Sequence, residues 1–449
     1  MKNKMTLSGW GNYPANQAIV ERPERFHQLH VDAKNIIARG LGRSYGDAAL
    51  NTDRDVILME RLNRFLAFDE KTGVLKAEAG TSLEEILETF IPRGWFLPVT
   101  PGTKYVTLGG CLAADIHGKN HHVDGTFGAH VNEFELLLAN GSKRRCSPKQ
   151  NPELFWGTVG GMGLTGIITE MALQLIPIET AYMQVQHHFA KNLDAVLAIL
   201  ENKQLDDRYS VAWIDCLSGG ENFGRSIVMN AHHAAKKDLP AHISDPYQIK
   251  ASKKISLPFY FPAWALNSWS VRAFNSLYCK IQKSKTSPFL LDYDRYFYPL
   301  DSINHWNRLY GKQGFLQYQF VVPFKTAQEA LHVILGEFVK SKRASFLAVL
   351  KRFGSESEGF LSFPKEGYTL ALDLPISGPE LFPFLDHLDN LVLKYEGRGY
   401  LAKDARMQPE TFRSMYPRFN AWQKIKADVD PEDKFSSDLS RRLRMEGKR

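Results

Sequence analysis

Three glycine-rich segments within the first 170 residues constrain the fold of this chain more than any other feature of its sequence. They span 38–47, 101–128 and 155–166. Glycine adopts positive φ and permits close approach, so such segments form turns whose N–H groups can converge on one anion. The first segment, in which Arg39 and Arg43 flank the glycines, predicts a pyrophosphate cradle, although a turn between two strands fits the same residues.

The second segment interleaves six glycines with apolar residues, which favours a functional loop over a surface insert. His117 and His121 are four residues apart, as in some metal sites. Gly118 disfavours the helix that would align the two imidazoles, and no H-E-x-x-H motif accompanies them. We therefore expect no metal, and we assign both histidines to cofactor contact or to hydrogen-bonded packing.

The third segment contains a literal dinucleotide fingerprint, because Gly161, Gly163 and Gly166 match G-x-G-x-x-G. That fingerprint must follow a strand and open a helix. Here it leads directly into 167–176, whose alternating pattern predicts a strand. A Rossmann-type NAD enzyme is therefore disfavoured.

The chain predicts an α+β fold of two domains, because 449 residues exceed what one core usually supports. A helix is predicted to begin at Thr81 or Ser82, each with a glutamate at capping-box spacing, and to stop at Pro92. Beyond Pro177 glycines become fewer, and strands such as 314–323 alternate with helices such as 327–339. We place a domain boundary near 180.

The overall composition excludes several classes of protein. The four cysteines are widely spaced and form no C-x-x-C pair, so neither a disulfide framework nor a zinc site is expected. No nucleic-acid-binding module is recognisable. The N-terminus lacks the apolar run of a signal peptide, and prolines and polar residues interrupt 256–278, the most membrane-like stretch. We expect a location in the cytoplasm or at the inner face of the membrane.

The segment 251–291 combines basic and aromatic residues and contains no Asp or Glu. With a formal charge of +7 for the whole chain, this composition suits contact with an anionic lipid surface. A loop packed over the second domain fits equally well, and Pro258 and Pro262 favour a loop in both cases. The residues concerned are Lys253, Lys254, Arg272, Lys280, Lys283 and Lys285 among Phe259, Tyr260, Phe261, Trp264, Trp269, Phe274 and Tyr278.

In order and spacing, the three glycine segments resemble the PCMH-type FAD-binding domain of the vanillyl-alcohol-oxidase family. Segments 40–47, 116–122, 315–321, 402–406 and 437–443 are similar to the branch of that family that oxidises a ribofuranose carried on a polyprenyl phosphate. The resemblance implies FAD as cofactor and a two-lobed FAD-binding domain plus a substrate cap domain with an antiparallel sheet and helices. The implied division is 1–180 for FAD, 181–397 for the cap, and 398–449 returning to the FAD domain.

The resemblance also implies a reaction. The C2 hydroxyl of a lipid-linked sugar phosphate is oxidised to a 2′-keto sugar, and a separate NAD(P)H-dependent reductase completes an epimerisation to arabinose, a cell-wall arabinan precursor. Two alternatives stay open at this point. One is an FAD-dependent oxidase or dehydrogenase of a soluble alditol or aldonolactone, and the other is a flavin- or lipid-binding scaffold without catalysis.

Individual residues follow from the same resemblance. Lys403 is expected to polarise the sugar oxygen, with Tyr45, His117 and Gln319 as further catalytic residues. Gln317 and Gln319 alternate with Tyr318 on a predicted strand and so share one face, as paired ligands do and as the polar face of an edge strand also does. The expected substrate contacts are His117, Tyr298, Gln317, Gln319, Lys351, Phe353, Thr369, Ala371 and Lys403.

The expected cofactor contacts lie mainly in the three glycine segments. They are Arg39, Gly40, Leu41, Gly42, Arg43, Ser44, Tyr45, Gly46, Pro101, Gly102, Thr103, Thr107, Gly109, Gly110, Cys111, Ala114, Asp115, His117, Gly118, Asn120, His121, Gly125, Gly161, Gly163, Gly166, Ile167, Tyr400 and Lys403. The chain departs from the family pattern at one point, where Thr369 and Ala371 replace an asparagine and a cysteine. We expect this change to alter the shape of the substrate site without abolishing turnover.

Overall fold

A computed structural model describes residues 2–446 of the protein apart from 206, 251–253, 263–266, 286, 344 and 346. The strands of its N-terminal region are β1 (Asn3–Ser8), β2 (Ala15–Glu21), β3 (Ile36–Arg39), β4 (Asp55–Leu58), β5 (Phe65–Asp69), β6 (Val74–Glu78), β7 (Trp95–Phe96), β8 (Val131–Leu137), β9 (Lys143–Cys146), β10 (Ile167–Gln174) and β11 (Ile176–Pro177). The helices of this region are α1 (Leu83–Phe90), α2 (Leu108–Ala113), α3 (His121–Asp124) and α4 (Pro152–Thr158).

Two separate sheets give the N-terminal region a pair of lobes. One sheet has the order β1-β2-β4-β3, with β1 and β2 antiparallel and β4 parallel to both its neighbours. The other is antiparallel in the order β5-β6-β10-β8-β9. The short strands β7 and β11 pair with each other.

Local sequence signals predict the elements of this region well. Helix α1 begins after Ser82, whose capping box with Glu85 is present, and it ends before Pro92, as predicted. The fingerprint-like third segment leads into β10, which confirms the reason for rejecting a Rossmann fold. The alternation expected along β10 is only partly present, because Ile168 and Ala172 on the other face are buried as well.

The elements that follow residue 180 are built around one large sheet. The strands are β12 (Tyr182–Ala190), β13 (Tyr209–Ile214), β14 (Ser226–His233), β15 (Ile255–Ser256), β16 (Phe289–Asp292), β17 (Ile303–Asn304), β18 (Phe315–Pro323), β19 (Ala348–Phe353), β20 (Gly367–Pro375) and β21 (Arg398–Gly399). The helices are α5 (Leu193–Glu201), α6 (Ser268–Lys283), α7 (Tyr293–Phe297), α8 (Phe324–Ser341), α9 (Leu381–Lys394), α10 (Pro409–Met415), α11 (Phe419–Val429) and α12 (Asp438–Arg442).

The large sheet has eight antiparallel strands in the order β16-β12-β14-β13-β19-β20-β18-β21. The strands β15 and β17 pair with each other apart from it. Helices α5, α8 and α9 pack on one face of the sheet. Helix α6 packs on the opposite face, against β12 and β14.

Helix α6 corrects one expectation, because the composition of 251–291 favours a loop throughout. The prolines end before this helix begins, and Asn267 caps it by accepting hydrogen bonds from the backbone N–H groups of Trp269 and Ser270. Lys253 and Trp264, which were part of that expectation, lie outside the described residues. No helix in the described part of the chain is long and apolar enough to cross a membrane.

The C-terminal segment packs against the N-terminal region. Ile36 in β3 forms a parallel bridge with Phe435, its N–H donating to the carbonyl of Lys434 at 2.7 Å. Trp422 of α11 donates through Nε1 to the carbonyl of Gly157 in α4 at 2.8 Å. These contacts agree with the division 1–180, 181–397 and 398–449, which stays a prediction.

The ion pairs of Arg442 hold the C-terminal segment against the first glycine loop. Its guanidinium binds both oxygens of Asp47, at 2.9 and 2.8 Å, and an oxygen of Asp404 at 2.9 Å. The two carboxylate side chains are only 5% and 7% exposed. Burial raises the pKa of Asp47, whereas the pKa of Asp404 is lowered because its arginine neighbours outweigh the opposing effect of burial.

We predict that Arg442→Met lowers the free energy of unfolding by about 3 kcal/mol, because it leaves the buried Asp47 without its cation and Asp404 with Arg406 alone. Urea denaturation measures this. The control is Arg444→Met, which removes a 68% exposed side chain whose nearest carboxylate is 4.0 Å away, and it should change stability by less than about 0.5 kcal/mol. Equal effects of the two substitutions would contradict the assigned role.

Candidate active site

A cavity of about 410 Å³ lies between the N-terminal lobes and the face of the eight-stranded sheet that is opposite to α5, α8 and α9. All three glycine segments line it, together with residues from the sheet, from α6 and from the C-terminal segment. Residues that are remote in sequence, from Trp10 to Lys403, therefore share one wall.

The glycines of the first two segments make room that side chains would fill. A Cβ on Gly40 would lie 2.2 Å from Oγ1 of Thr107, and one on Gly109 would lie 3.1 Å from Cβ of Ala79. Gly42 has a φ of +66°, and a Cβ there would lie 2.1 Å from the Arg39 guanidinium. These glycines therefore let the loops pack closely against each other while their backbone lines the cavity, as a nucleotide cradle requires.

The two arginines of the first segment have different surroundings. Arg39 donates to the carbonyls of Ser8 (2.6 Å) and Ala49 (3.1 Å), so its guanidinium holds the loop in shape while also lining the cavity. Arg43 stacks on Trp10, with its guanidinium carbon 4.0 Å from the ring centre. Its buried Nε has no hydrogen-bond partner among the described residues and so fits a bound anionic group.

Most of the predicted contact residues line this cavity. Among the expected substrate contacts, those that do so are His117, Gln317, Gln319, Lys351, Ala371 and Lys403. The expected cofactor contacts that line it are Arg39, Gly40, Leu41, Gly42, Arg43, Ser44, Tyr45, Pro101, Gly102, Thr103, Thr107, Gly109, Gly110, Cys111, Ala114, His117, Gly118, Gly163, Gly166, Tyr400 and Lys403.

The remaining predicted residues do not line the cavity, and several of them pack against residues that do. Tyr298 is hydrogen-bonded to Thr100 at 2.6 Å, and Phe353 packs beneath the rings of His117 and His121. His121 accepts through Nδ1 from the N–H of Gly354 at 3.1 Å. The full set outside the lining is Gly46, Asp115, Asn120, His121, Gly125, Gly161, Ile167, Tyr298, Phe353 and Thr369.

The sheet wall changes from polar to apolar along its width. Gln317 and Gln319 of β18 project from the same face as Ala371 of β20, which confirms that the two glutamines share a face and excludes a solvent-exposed edge strand. The neighbouring strands contribute Leu347, Val349 and Lys351, followed by Val211 and Trp213 of β13 and Met229 of β14. Tyr278 of α6, whose ring centroid lies 4.9 Å from that of Trp213, closes the apolar end.

Lys403 stands at the polar end of this wall. Its Nζ lies 3.9 Å from the centre of the Tyr45 ring. Burial and the nearby Lys351 lower the pKa of Lys403 to about 7, whereas Asp373 opposes that shift. Gln317 opposes the rise that burial causes in the pKa of Tyr45, and all three residues line the cavity, so the lysine, the tyrosine and the glutamine form one group.

Asp373 is a site residue that the sequence analysis missed. It accepts hydrogen bonds from Nε2 of Gln317 (2.6 Å) and from the hydroxyl of Tyr310 (3.2 Å). Burial raises its pKa to about 7. Its spacing of two from Ala371 on a strand would have placed it on the cavity face of β20.

His117 is held as a neutral imidazole. Nε2 of Gln319 donates to Nε2 of His117 at 3.0 Å and to Oγ1 of Thr369 at 3.2 Å, so the histidine proton belongs on Nδ1. Burial lowers the pKa of His117 well below its usual range, and Lys351 lowers it further. The buried Nδ1 has no partner among the described residues, which leaves a donor for a bound ligand.

Further lining residues had no recognisable sequence signal. Asp301 and Trp306 belong to this group, because only long-range packing brings them to the cavity. Lys119 also lines it and lies within the second glycine segment, but the sequence analysis did not single it out. Val211 and Trp213 could have been found as alternate residues of one strand, but no motif marked that strand as belonging to the site.

Comparison with known proteins agrees with this architecture. The FAD binding domain family matches residues 27–147, and the D-arabinono-1,4-lactone oxidase family matches residues 309–443. The decaprenylphosphoryl-beta-D-ribose oxidase of Mycolicibacterium smegmatis is 40% identical over 98% of this chain and 97% of its own length. The L-gulono-1,4-lactone dehydrogenase of Mycobacterium tuberculosis is 20% identical over 97% of this chain and 98% of its own.

The match to the FAD binding domain covers the first two glycine segments. This match confirms FAD as the cofactor. It agrees with the position of Gly40 and Gly109 in the cavity lining and with the Nε of Arg43, which has no hydrogen-bond partner among the described residues. The segments around Gly40 and Thr107 would hold it, with Tyr400 and Lys403 facing it across the cavity.

We predict that Gly40→Ala reduces the amount of bound flavin severalfold, because the added Cβ would collide with Thr107 at the cradle. The ratio of flavin to protein absorbance in the purified enzyme measures this. Gly336→Ala is the control, since nothing lies within 4 Å of a Cβ added there. A Gly40→Ala enzyme with full flavin content would contradict the assignment of the cradle.

Proposed function

The chain belongs to the decaprenylphosphoryl-β-D-ribose oxidase family of FAD-dependent oxidoreductases, and from that premise we propose that it oxidises the C2 hydroxyl of a polyprenyl-phosphate-linked ribofuranose. The product is the 2′-keto sugar, the first half of an epimerisation to arabinose that supplies cell-wall arabinan. The observation that carries the proposal is the polar-to-apolar change along the sheet wall. A sugar fits the end with Gln317, Gln319 and Lys403, and a hydrocarbon tail fits the end with Trp213 and Tyr278.

The residues at the polar end have separable tasks. The bound FAD supplies the two-electron oxidation of the carbinol carbon. Lys403 accepts the hydroxyl proton on Nζ, which its lowered pKa makes possible near neutral pH. Gln319 and His117 orient the sugar hydroxyls through the amide oxygen and the Nδ1 donor, and Thr369 holds Gln319 in place.

Ala371 stands in the lining where the family has a cysteine, and Thr369 stands behind the wall where the family has an asparagine. The smaller Ala371 side chain enlarges the site beside Gln319. The Thr369 hydroxyl accepts a hydrogen bond from the amide of Gln319 and donates one to the carbonyl of Phe320. The substitution therefore changes the shape of the site and keeps its hydrogen bonding.

The keto product requires a second enzyme. Its conversion to arabinose is a two-electron reduction, so the proposal includes a separate NAD(P)H-dependent keto-sugar reductase as a functional partner.

Helix α6 supports peripheral contact with the inner face of a membrane. Its outer face exposes Trp269 (81%), Leu277 (59%) and Ile281 (48%). Arg272, Lys280 and Lys283 flank them, and the helix has no acidic residue. Such a helix suits the plane of an anionic bilayer, with rings and aliphatic chains among the headgroups. Its inner face, through Tyr278, forms the apolar end of the cavity, so a lipid tail has a short path between bilayer and site.

A soluble aldonolactone is the second candidate substrate. The match of residues 309–443 to the D-arabinono-1,4-lactone oxidase family favours it. It makes no use of the apolar end of the cavity or of the exposed face of α6.

A direct test adds substrates anaerobically to the flavin-loaded enzyme and follows the absorbance of oxidised flavin. Short-chain polyprenyl-phosphoryl ribofuranose should bleach the flavin within the time of a turnover, whereas arabinono- and gulonolactone should not. Bleaching by the lactones alone would favour the second candidate. If none of these compounds bleached the flavin, the hypothesis of a scaffold without catalysis would be favoured.

We predict that Lys403→Met lowers the rate of flavin bleaching about a hundredfold or more, because the proton acceptor is lost. The wild-type rate should rise as pH increases through about 7, where Lys403 loses its proton, and the variant should lack this rise. Stopped-flow absorbance at a series of pH values measures both. The exposed Lys424→Met serves as control, and an unchanged pH profile in Lys403→Met would refute the assignment.

We predict that Trp269→Ser combined with Leu277→Ser reduces binding to phosphatidylglycerol vesicles about tenfold or more, because the buried apolar area is lost. Vesicle flotation measures the bound fraction, and phosphatidylcholine vesicles should bind the wild type weakly. Val123→Ser is the matched control, because that side chain lies far from α6 in the sequence and is also 59% exposed. Flotation that is equal for all three proteins would exclude α6 as the contact.

A further inference from the structure

Two lysines in the cavity wall have no carboxylate partner. Lys119 and Lys351 both line the cavity, and neither forms an ion pair within the described part of the chain. The ammonium of Lys119 donates to the carbonyl of Tyr296 and lies 3.9 Å from the centre of the Tyr296 ring. A carbonyl and a ring face stabilise a cation only incompletely, and a desolvated charge without a counterion is costly.

The two lysines are neighbours across the sheet. The carbonyl of Lys119 accepts from the N–H of Ser210 at 2.8 Å, which fixes it beside the start of β13. In the antiparallel pairing of β13 with β19, Ala212 lies opposite Leu350 and Trp213 opposite Val349. Continuing this register by one residue brings Val211 opposite Lys351. Lys119 and Lys351 therefore flank the same short stretch of the wall.

Their electrostatic coupling agrees with this position. Burial and the charge of Lys351 lower the pKa of Lys119 to about 7, and burial lowers the pKa of Lys351 to about 8. Lys351 also lowers the pKa of Lys403. Lys351 is therefore coupled electrostatically to both other lysines. Val211 and Trp213 line the cavity between Lys119 and its apolar end.

We propose that Lys119 and Lys351 form a subsite for the phosphate of the substrate, between the sugar at Lys403 and the hydrocarbon tail along Val211 and Trp213. This inference rests on the proposed function and deepens it. In a ribosyl phosphate the phosphate is attached at C1, directly beside the C2 carbinol, so the cations that bind it must adjoin the group that handles the C2 hydroxyl. A phosphodiester monoanion placed there brings one negative charge between the two lysines and offers an oxygen to each ammonium group.

The subsite also gives the enzyme a means of selection. A neutral sugar or lactone leaves both cations without a counterion, whereas a phosphodiester satisfies them. Discrimination then comes from the cost of unpaired, desolvated charge as much as from attraction.

The test compares two ligands that differ only in the phosphate, namely octylphosphoryl β-D-ribofuranose and octyl β-D-ribofuranoside. Each is mixed anaerobically with the flavin-loaded enzyme in a stopped-flow instrument, and the fast spectral shift of the flavin that precedes bleaching gives Kd. The wild type should bind the phosphodiester about tenfold to a hundredfold more tightly, as expected for charge-assisted hydrogen bonds. Lys119→Met should lose most of this preference by weakening the phosphodiester alone, and Lys119→Arg should retain it.

Three results would overturn the subsite: equal Kd values of the two ligands for the wild type, an equal loss of affinity for both in Lys119→Met, or loss of flavin from that variant. Loss of flavin would indicate that the ammonium group of Lys119 binds the cofactor and not the substrate. Inorganic phosphate supplies a measurement on unaltered protein, because it should compete with the phosphodiester for the wild-type cavity. A wild type that binds the phosphodiester selectively but shows no bleaching would contradict the oxidation while supporting the subsite.

Discussion

The return of the C-terminal segment to the first glycine loop is the contact on which the active site depends. The N–H of Tyr45 donates to the carbonyl of Ala402 at 3.0 Å, and Gly46 lies so close to Asp404 that a Cβ would be 1.7 Å from its carbonyl oxygen. Arg442 fixes both sides through Asp47 and Asp404. Because Lys403 lies within this contact, its position over the Tyr45 ring is set by the packing of the C-terminal segment on the N-terminal lobes.

The second feature that organises the site is a row of cations in a cavity poor in counterions. Lys403 has Asp373 nearby, but neither Lys351 nor Lys119 has a carboxylate partner among the described residues. Such an arrangement costs stability in the free protein and is offset when an anionic ligand enters. The same cavity ends in Trp213 and Tyr278, so one continuous wall can accommodate the sugar, the phosphate and the hydrocarbon of a single amphipathic molecule.

Local patterns predict much of this structure. The Ser82 cap, the strand after Gly166 and the shared face of Gln317 and Gln319 are all determined by neighbours close in sequence, so periodicity and capping rules suffice. The family resemblance added Lys403, whose place in the cavity no local rule could give. What local patterns could not predict depends on contacts between distant segments. Tyr298, Phe353 and Thr369 do not line the cavity, and their contact with a substrate stays a prediction. Helix α6 was missed because prolines precede it. The position of Lys119 beside β13 was missed because no sequence motif links 116–122 to that strand.

The central claim is that the cavity presents C2 of a lipid-linked ribofuranose to the flavin. The most direct measurement is the anaerobic rate of flavin bleaching with substrate deuterated at C2, compared with substrate deuterated at C3. We expect a primary isotope effect for the C2 label and none for the C3 label, because only the C2–H bond is broken. An isotope effect from C3, or from neither position with bleaching intact, would contradict this claim.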